Sequence, residues 1–216
     1  MRLGLLIPSS NVVLEPLAAR LQMQTPDLTI HVSRQRVLDV ALDATSRSQF
    51  DLDAQVAAAR LLCDAKVDRI TWGGTSASWL GVEHDEAFVA RMTRETEIPT
   101  TTCVLDINQR LADLGVTRLG LVTPYTDDVA DRIDRNYDSL GFEVVASRND
   151  GGTVSNEFAA IGPAAITAMI RSVATAEPEA IVVMCTNVAG AEVAAGLATE
   201  LGLPILDSAA VTLSID

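Results

Sequence analysis

The sequence predicts an α/β protein built from two pseudo-symmetric parallel-sheet lobes that face each other across a cleft. Three observations carry this prediction. Short Val/Ile/Leu runs alternate with Ala-rich helical stretches along the chain, the pattern of parallel strands joined by helices. Apolar residues make up 48% of the 216 positions and aromatic ones only 4%, so the core is aliphatic. The second half also starts over. Arg118-Leu-Gly-Leu-Val-Thr-Pro124 copies Arg2-Leu-Gly-Leu-Leu-Ile-Pro8 at an offset of 118 − 2 = 116. Val182-Val-Met-Cys185 stands where Thr71-Trp-Gly-Gly74 stood, at 185 − 74 = 111, and Leu203-Pro204-Ile205 repeats Ile98-Pro99-Thr100 at 203 − 98 = 105. Offsets that shrink slowly while order is kept describe one duplicated unit with loop-length differences. The lobes are expected to span residues 1–103, with a return of the C-terminus, and 104–216.

In chain order, Arg2–Ile7 reads as the first strand, broken at Pro8-Ser-Ser-Asn11, with a helix over Val12–Leu21. Leu28–Ser33 is a second strand, and a polar connection carrying Asp39, Asp43 and Arg47 leads to a helix over Phe50–Asp64. Its apolar positions Val56, Leu61 and Leu62 are expected inside, with Cys63 in the same packing. Val67–Trp72 is the third strand and enters Gly73-Gly-Thr-Ser-Ala-Ser78. A helix follows over Asp85–Glu95, then a short strand at Ile98–Thr102 and a helix over Val104–Leu114 stopped by Gly115. The duplicate repeats this plan, with a loop at Gly151–Asn156 able to close over a ligand. The stretch Ser208–Asp216 allows only a turn or two of a last helix.

A net charge of −13 disfavours DNA, RNA or an anionic membrane as partner. No apolar run approaches the length of a membrane span, and the first residues lack the form of a secretion signal. Three widely spaced cysteines and two distant histidines fit neither a disulfide framework nor a metal site. These features read as a soluble, cytoplasmic protein that is free to form a homo-oligomer.

Ligands of open parallel sheets bind at the carboxyl ends of strands. The cleft would be lined by Pro8–Asn11 and Gly74–Ser78 from one lobe, and by Pro124–Thr126 and Cys185–Asn187 from the other. Cys185 ends the apolar run Ile181–Met184 and stands at or just before a helix N-terminus, where backbone N–H groups favour a thiolate. A lone buried cysteine is more often a small core residue; the company of the other strand ends raises the functional reading. Cys103 reads as core, His84 and Asp85 as solvated capping, Asp127 and Asp128 as first-turn acids, Trp72 and Trp79 as packing, and Ser9 and Ser10 as turn and N-cap residues.

These residues resemble the aspartate/glutamate racemase superfamily, in the branch holding arylmalonate decarboxylase and maleate cis-trans isomerase. Pro8-Ser-Ser-Asn11-Val-Val-Leu-Glu15 is similar to the isomerase opening motif, Gly74-Thr75-Ser76-Ala-Ser78 with Gly81 to the decarboxylase motif, and Thr123-Pro-Tyr125-Thr-Asp-Asp128 to both. Ser155-Asn156 resembles the isomerase's second asparagine, and Cys185 matches the second cysteine of the superfamily. The resemblance implies a cofactor-free and metal-free enzyme acting on a small mono- or dicarboxylate. It gives Cys185 and Gly74 the catalytic positions, and makes Thr75, Ser76, Tyr125, Thr186, Asn11 and Asn156 the groups that bind substrate or oxyanion.

Gly74 is the informative departure. Racemases place one cysteine on each side of the substrate, and the isomerase uses its first cysteine as nucleophile. One thiol on one face cannot run two-sided proton exchange, but it can protonate a planar carbanion from one side. The reading is therefore a malonate-type decarboxylase with a dioxyanion pocket, built also from the backbone N–H groups of Ser76, Cys185 and Thr186. Cys185 would be the acid that protonates one face. A small apolar pocket of Leu6, Val13, Trp79 and Val188 would destabilise the departing carboxylate. Two asparagines pull toward a dicarboxylate and keep a maleate isomerase or racemase-type isomerase as the alternative; a carboxylate-binding protein without turnover is a third. The face-to-face arrangement predicts that Gly74→Cys adds racemising activity.

Overall fold

Each half of the chain folds a sheet of four parallel strands, as the computed structural model of residues 1–214 describes. In the first, β1 (Arg2–Pro8), β2 (Thr29–Gln35), β3 (Arg69–Trp72) and β4 (Thr100–Thr102) lie in the order β2-β1-β3-β4. In the second, β5 (Arg118–Tyr125), β6 (Glu143–Gly152), β7 (Ala180–Val183) and β8 (Ile205–Asp207) lie in the order β6-β5-β7-β8. The predicted fold class stands: two α/β lobes with the same strand order. The helices are α1 (Leu14–Gln24), α2 (Ala44–Ser48), α3 (Leu52–Asp64), α4 (Ala77–Leu80), α5 (Val82–Thr96), α6 (Cys103–Asp113), α7 (Asp127–Ser139), α8 (Pro163–Ala174), α9 (Ala191–Leu201) and α10 (Ser208–Thr212). Among the described residues no helix is long and apolar enough to cross a membrane.

The duplication reaches the backbone conformation. Lys66 and Glu177 both take φ 52°, at 177 − 66 = 111, and Glu97 and Gly202 both end helices in the left-handed region, at 202 − 97 = 105. Thr102 and Asp207, at 207 − 102 = 105, each cap the following helix through a side-chain oxygen that accepts a backbone N–H. The shared Arg-Leu-Gly-Leu motif has a packing reason. A Cβ at Gly4 would lie 3.0 Å from Val67 Cγ2, and one at Gly120 would lie 2.3 Å from Val173 Cγ1 of α8. Gly120→Ala is accordingly expected to destabilise the protein by about 1–3 kcal/mol, read as a shift in the denaturant midpoint at constant slope.

Several expectations need correction. The polar connection before α3 contains α2, whose start is fixed by Asp43 accepting from the N–H groups of Thr45 and Ser46. Leu61 is 65% exposed while Val56 and Leu62 are buried, because helical spacing puts residue 61 on the outer flank of α3. The expected loop at Gly151 is the end of the long strand β6, followed by a 3-10 helix, Ser155–Ala160. Asp85 is fully buried rather than solvated. The return of the C-terminus needs no such correction: the last helix packs on the first lobe, where Ala209 and Leu213 join Leu3, Leu5, Ile7, Leu14 and Leu17 in one apolar cluster. In the stretch 208–216 the helix runs from Ser208 to Thr212, and the expectation for the final two positions lies outside the described residues.

Candidate active site

The carboxyl ends of β1, β3, β5 and β7 converge on one cavity between the sheets. Its lining includes Asn11, Gly74, Thr75, Ser76, Tyr125, Cys185 and Thr186, which are seven of the eight residues the sequence singled out. Asn156 is the exception. It is exposed on the 3-10 helix, and its neighbours Ser155 and Phe158 line the cavity instead. The helix turns residue 156 outward while positions 155 and 158 face in.

Cys185 follows β7 and is 4% exposed. The helix behind it begins only at Ala191, capped by Gly190, so the thiol is not at a helix N-terminus as expected. Its Sγ accepts the Asn187 N–H at 3.4 Å and also lies within hydrogen-bond reach of Tyr125. Burial pushes the thiol up to about 11, against the lowering pull of those two donors. At neutral pH Cys185 is thus a neutral thiol able to give a proton. Burial likewise raises the Tyr125 hydroxyl well above its usual range, so it too stays a donor. Tyr125 shares a 2.9 Å hydrogen bond with the Thr75 hydroxyl, linking the end of β5 to the turn after β3.

Facing them, the Ser76 hydroxyl is buried without a hydrogen-bond partner. Among the described residues the backbone N–H groups of Ser76 and Thr186 have no acceptor, whereas that of Cys185 is spent on Val183 O at 3.2 Å. Buried donors left unpaired are costly, which makes them natural anion-binding groups. Asn11 is largely committed. Its Oδ1 accepts the N–H groups of Val13 and Leu14, and its Nδ2 donates to Thr186 Oγ1 at 3.1 Å. Thr186 in turn donates to Gly73 O at 2.8 Å. Asn187, which the sequence placed only in the cleft lining, ties the lobes together: its Oδ1 accepts from Val12 N and its Nδ2 donates to Ser155 O.

The apolar wall is not the one expected. Val37, Val40, Phe50 and Phe158 line the cavity with Pro8; Leu6, Val13, Trp79 and Val188 do not. Val37 and Val40 come from the β2–α2 connection, which crosses the cleft and pairs with the other lobe through Val40 N to Thr153 O and Ser155 N to Leu38 O. Ser10 completes this clasp, donating to Val37 O at 2.7 Å and bonding Ser155 Oγ at 2.9 Å, so it is not the N-cap of α1. The cavity left inside is about 30 Å³, room for one or two waters.

Among the described residues no group of three His, Cys, Asp or Glu side chains comes together as a metal site. The model of the arylmalonate decarboxylase family matches residues 4–213. The maleate isomerase of Nocardia farcinica is 25% identical over 219 residues, covering 96% of this chain and 85% of that protein. A maleate isomerase variant from Pseudomonas putida S16, solved with maleate, superposes with a TM-score of 0.87 at 23% identity over 99% of this chain and 89% of the other. Arylmalonate decarboxylase itself superposes with a TM-score of 0.80 at 21% identity over 99% of this chain and 90% of the other.

Proposed function

The chain belongs to the arylmalonate decarboxylase family, and from that premise we propose that it is a cofactor-independent decarboxylase of a malonate-type acid, with Cys185 as its one proton donor. The observation that carries this reading is the pairing of a buried Cys185 thiol with glycine at position 74 in the lining of the same cavity. A malonate is larger than the cavity of about 30 Å³ and enters with the 37–40 segment lifted off residues 153–155. Its retained carboxylate then binds the donors at the ends of β3, β5 and β7, the hydroxyls of Thr75, Ser76 and Tyr125 with the N–H groups of Ser76 and Thr186. The departing carboxylate lies against Val37, Val40, Phe50 and Phe158, where its charge is poorly solvated.

The C–C bond to that carboxylate breaks, CO₂ leaves, and the electron pair passes into the retained carboxyl as an enediolate. Donors already in place stabilise this anion, each typically by about 3–4 kcal/mol. The Cys185 S–H then gives its proton to one face of the carbanionic carbon. The resulting thiolate is held by the Asn187 N–H and the Tyr125 hydroxyl until solvent returns a proton. With Asn156 outside the cavity and the Asn11 amide tied to Thr186 and α1, the two-amide grip that favoured a second retained carboxylate loses its support.

Incubation with phenylmalonate, methylmalonates, maleate and aspartate in D₂O, followed by NMR, tests the proposal. CO₂ loss with deuterium delivered to one face supports it. Fumarate from maleate would replace it with the isomerase, and binding without turnover would replace it with a carboxylate-binding protein. Tyr125→Phe removes the single O–H that serves first the anion and then the thiolate, and is expected to lower kcat by about 10²–10³-fold with KM changed far less. A fall in affinity with kcat preserved would place Tyr125 in ground-state binding only.

A further inference from the structure

The turn after β3 holds a steric relation that the proposed reaction does not use. A Cβ built on Gly74 would lie 2.3 Å from Cζ2, 2.4 Å from Cε2 and 2.8 Å from Nε1 of Trp72, far inside van der Waals contact. These atoms belong to a rigid ring, not to the end of a flexible chain. Trp72 is fully buried at the end of β3, and its indole N–H has no partner, so shape alone holds the ring in place. Gly74 lies two residues beyond the end of β3, where the turn carries its backbone back over the ring, and the indole lies across the side-chain position of residue 74. The duplicated lobe supplies the contrast. At the offset of 111, Trp72 corresponds to Val183 and Gly74 to Cys185. Where the first residue of the pair is valine, the second carries a side chain; where it is tryptophan, the second is glycine.

From this juxtaposition we infer that Trp72 is the specificity-determining residue that restricts the site to a single thiol. The indole takes the volume that a side chain opposite Cys185 would need, so one-sided proton delivery is set at residue 72 and glycine at 74 follows from it. The inference deepens the decarboxylase reading and rests on its one-thiol chemistry. It corrects the expectation that Gly74→Cys by itself adds racemisation. The introduced thiol has no room until the indole is reduced. With room, its thiolate would take the α-proton of the product from one face, leaving the electron pair as an enediolate, while the Cys185 thiol returns a proton to the other.

Two measurements on the full chain test this. The first needs no substrate: thermal melts of Gly74→Ala, Trp72→Leu and the double variant, with Trp72→Phe used if the leucine variant does not fold. Gly74→Ala is expected to lower Tm by roughly 5–10 °C in the natural background and much less once Trp72 is reduced. Equal losses in both backgrounds would overturn the steric assignment. The second compares Gly74→Cys with Trp72→Leu/Gly74→Cys on a prochiral malonate in D₂O. The single variant should keep a one-handed product, and the double variant should give both hands with α-deuterium exchange at least tenfold faster. Equally fast racemisation by Gly74→Cys alone would overturn the inference. If the melts couple but the natural protein turns over no acid, the assignment of Trp72 stands and the decarboxylase reading falls.

Discussion

Cys185→Ala is expected to lower kcat by about 10³–10⁴-fold while leaving the affinity for a substrate-sized carboxylate within a few-fold. The two effects separate because the donors we propose for the anion sit elsewhere in the cavity lining, on Thr75, Ser76, Tyr125 and Thr186. Removing one buried sulfur takes none of these donors away. The pH profile sharpens the test. With the thiol pushed up to about 11 by burial, the proton-bearing form prevails across the neutral range. An enzyme that uses it as an acid keeps kcat/KM level between pH 6.5 and 9. A thiolate nucleophile would instead gain nearly tenfold in rate per pH unit over that range, since each unit multiplies its small ionised fraction tenfold. Alkylation by iodoacetamide should be slow at pH 7 for the same reason. Full activity in Cys185→Ala would remove both cysteine mechanisms, and a rate that climbs with pH would favour attack by sulfur on a double bond.

What the sequence made legible was whatever strand ends and the repeat could dictate. The offsets of 116, 111 and 105 between motifs anticipated the matching sheets, and with them the meeting of Gly74 and Cys185 across one cavity. Groups carried on long connections were not legible. Val37 and Val40 reach the cavity because the β2–α2 segment crosses to the second lobe and pairs with residues 153–155, a contact between segments over a hundred residues apart, and Phe50 joins them from the short link between α2 and α3. Asn156 was misplaced by a single residue of local geometry: the 3-10 turn buries Ser155 and Phe158 and turns the amide out. Cys185 was put near a helix dipole, but the helix starts six residues later, and burial, which outweighs the local donors, depends on the whole fold. The ring of Trp72 was read as packing, and it is packing. Its hold on position 74 emerges only when the direction of the missing Cβ is known.

Asp85→Asn is expected to stabilise the protein increasingly as pH rises, by about 2–3 kcal/mol more at pH 8 than at pH 5. The natural carboxyl is fully buried near the start of α5, neither oxygen makes a well-formed hydrogen bond, and burial lifts it from 3.8 to about 7 against a lowering contribution from the Thr102 hydroxyl. The sign follows from the two states. Below pH 3.8 folded and unfolded chains both hold the proton and the group is neutral in the balance. Between 3.8 and about 7 the unfolded chain ionises while the folded one does not, so folding must take up a proton and stability falls by ~1.4 kcal/mol per pH unit. Above about 7 both ionise and the deficit is constant. An amide at this position does not titrate, so the variant escapes the loss. Asp207, lifted to about 7 by the same burial, continues to act in both proteins and cancels from the comparison. Its Oδ1 also caps α10 through Ala210 N–H, which makes Asp85 the cleaner of the two to replace. Urea unfolding of both proteins at pH 5 and pH 8 measures the difference. A gap that does not change with pH would mean that the Asp85 carboxyl is already ionised in the fold, with a compensating partner that water supplies.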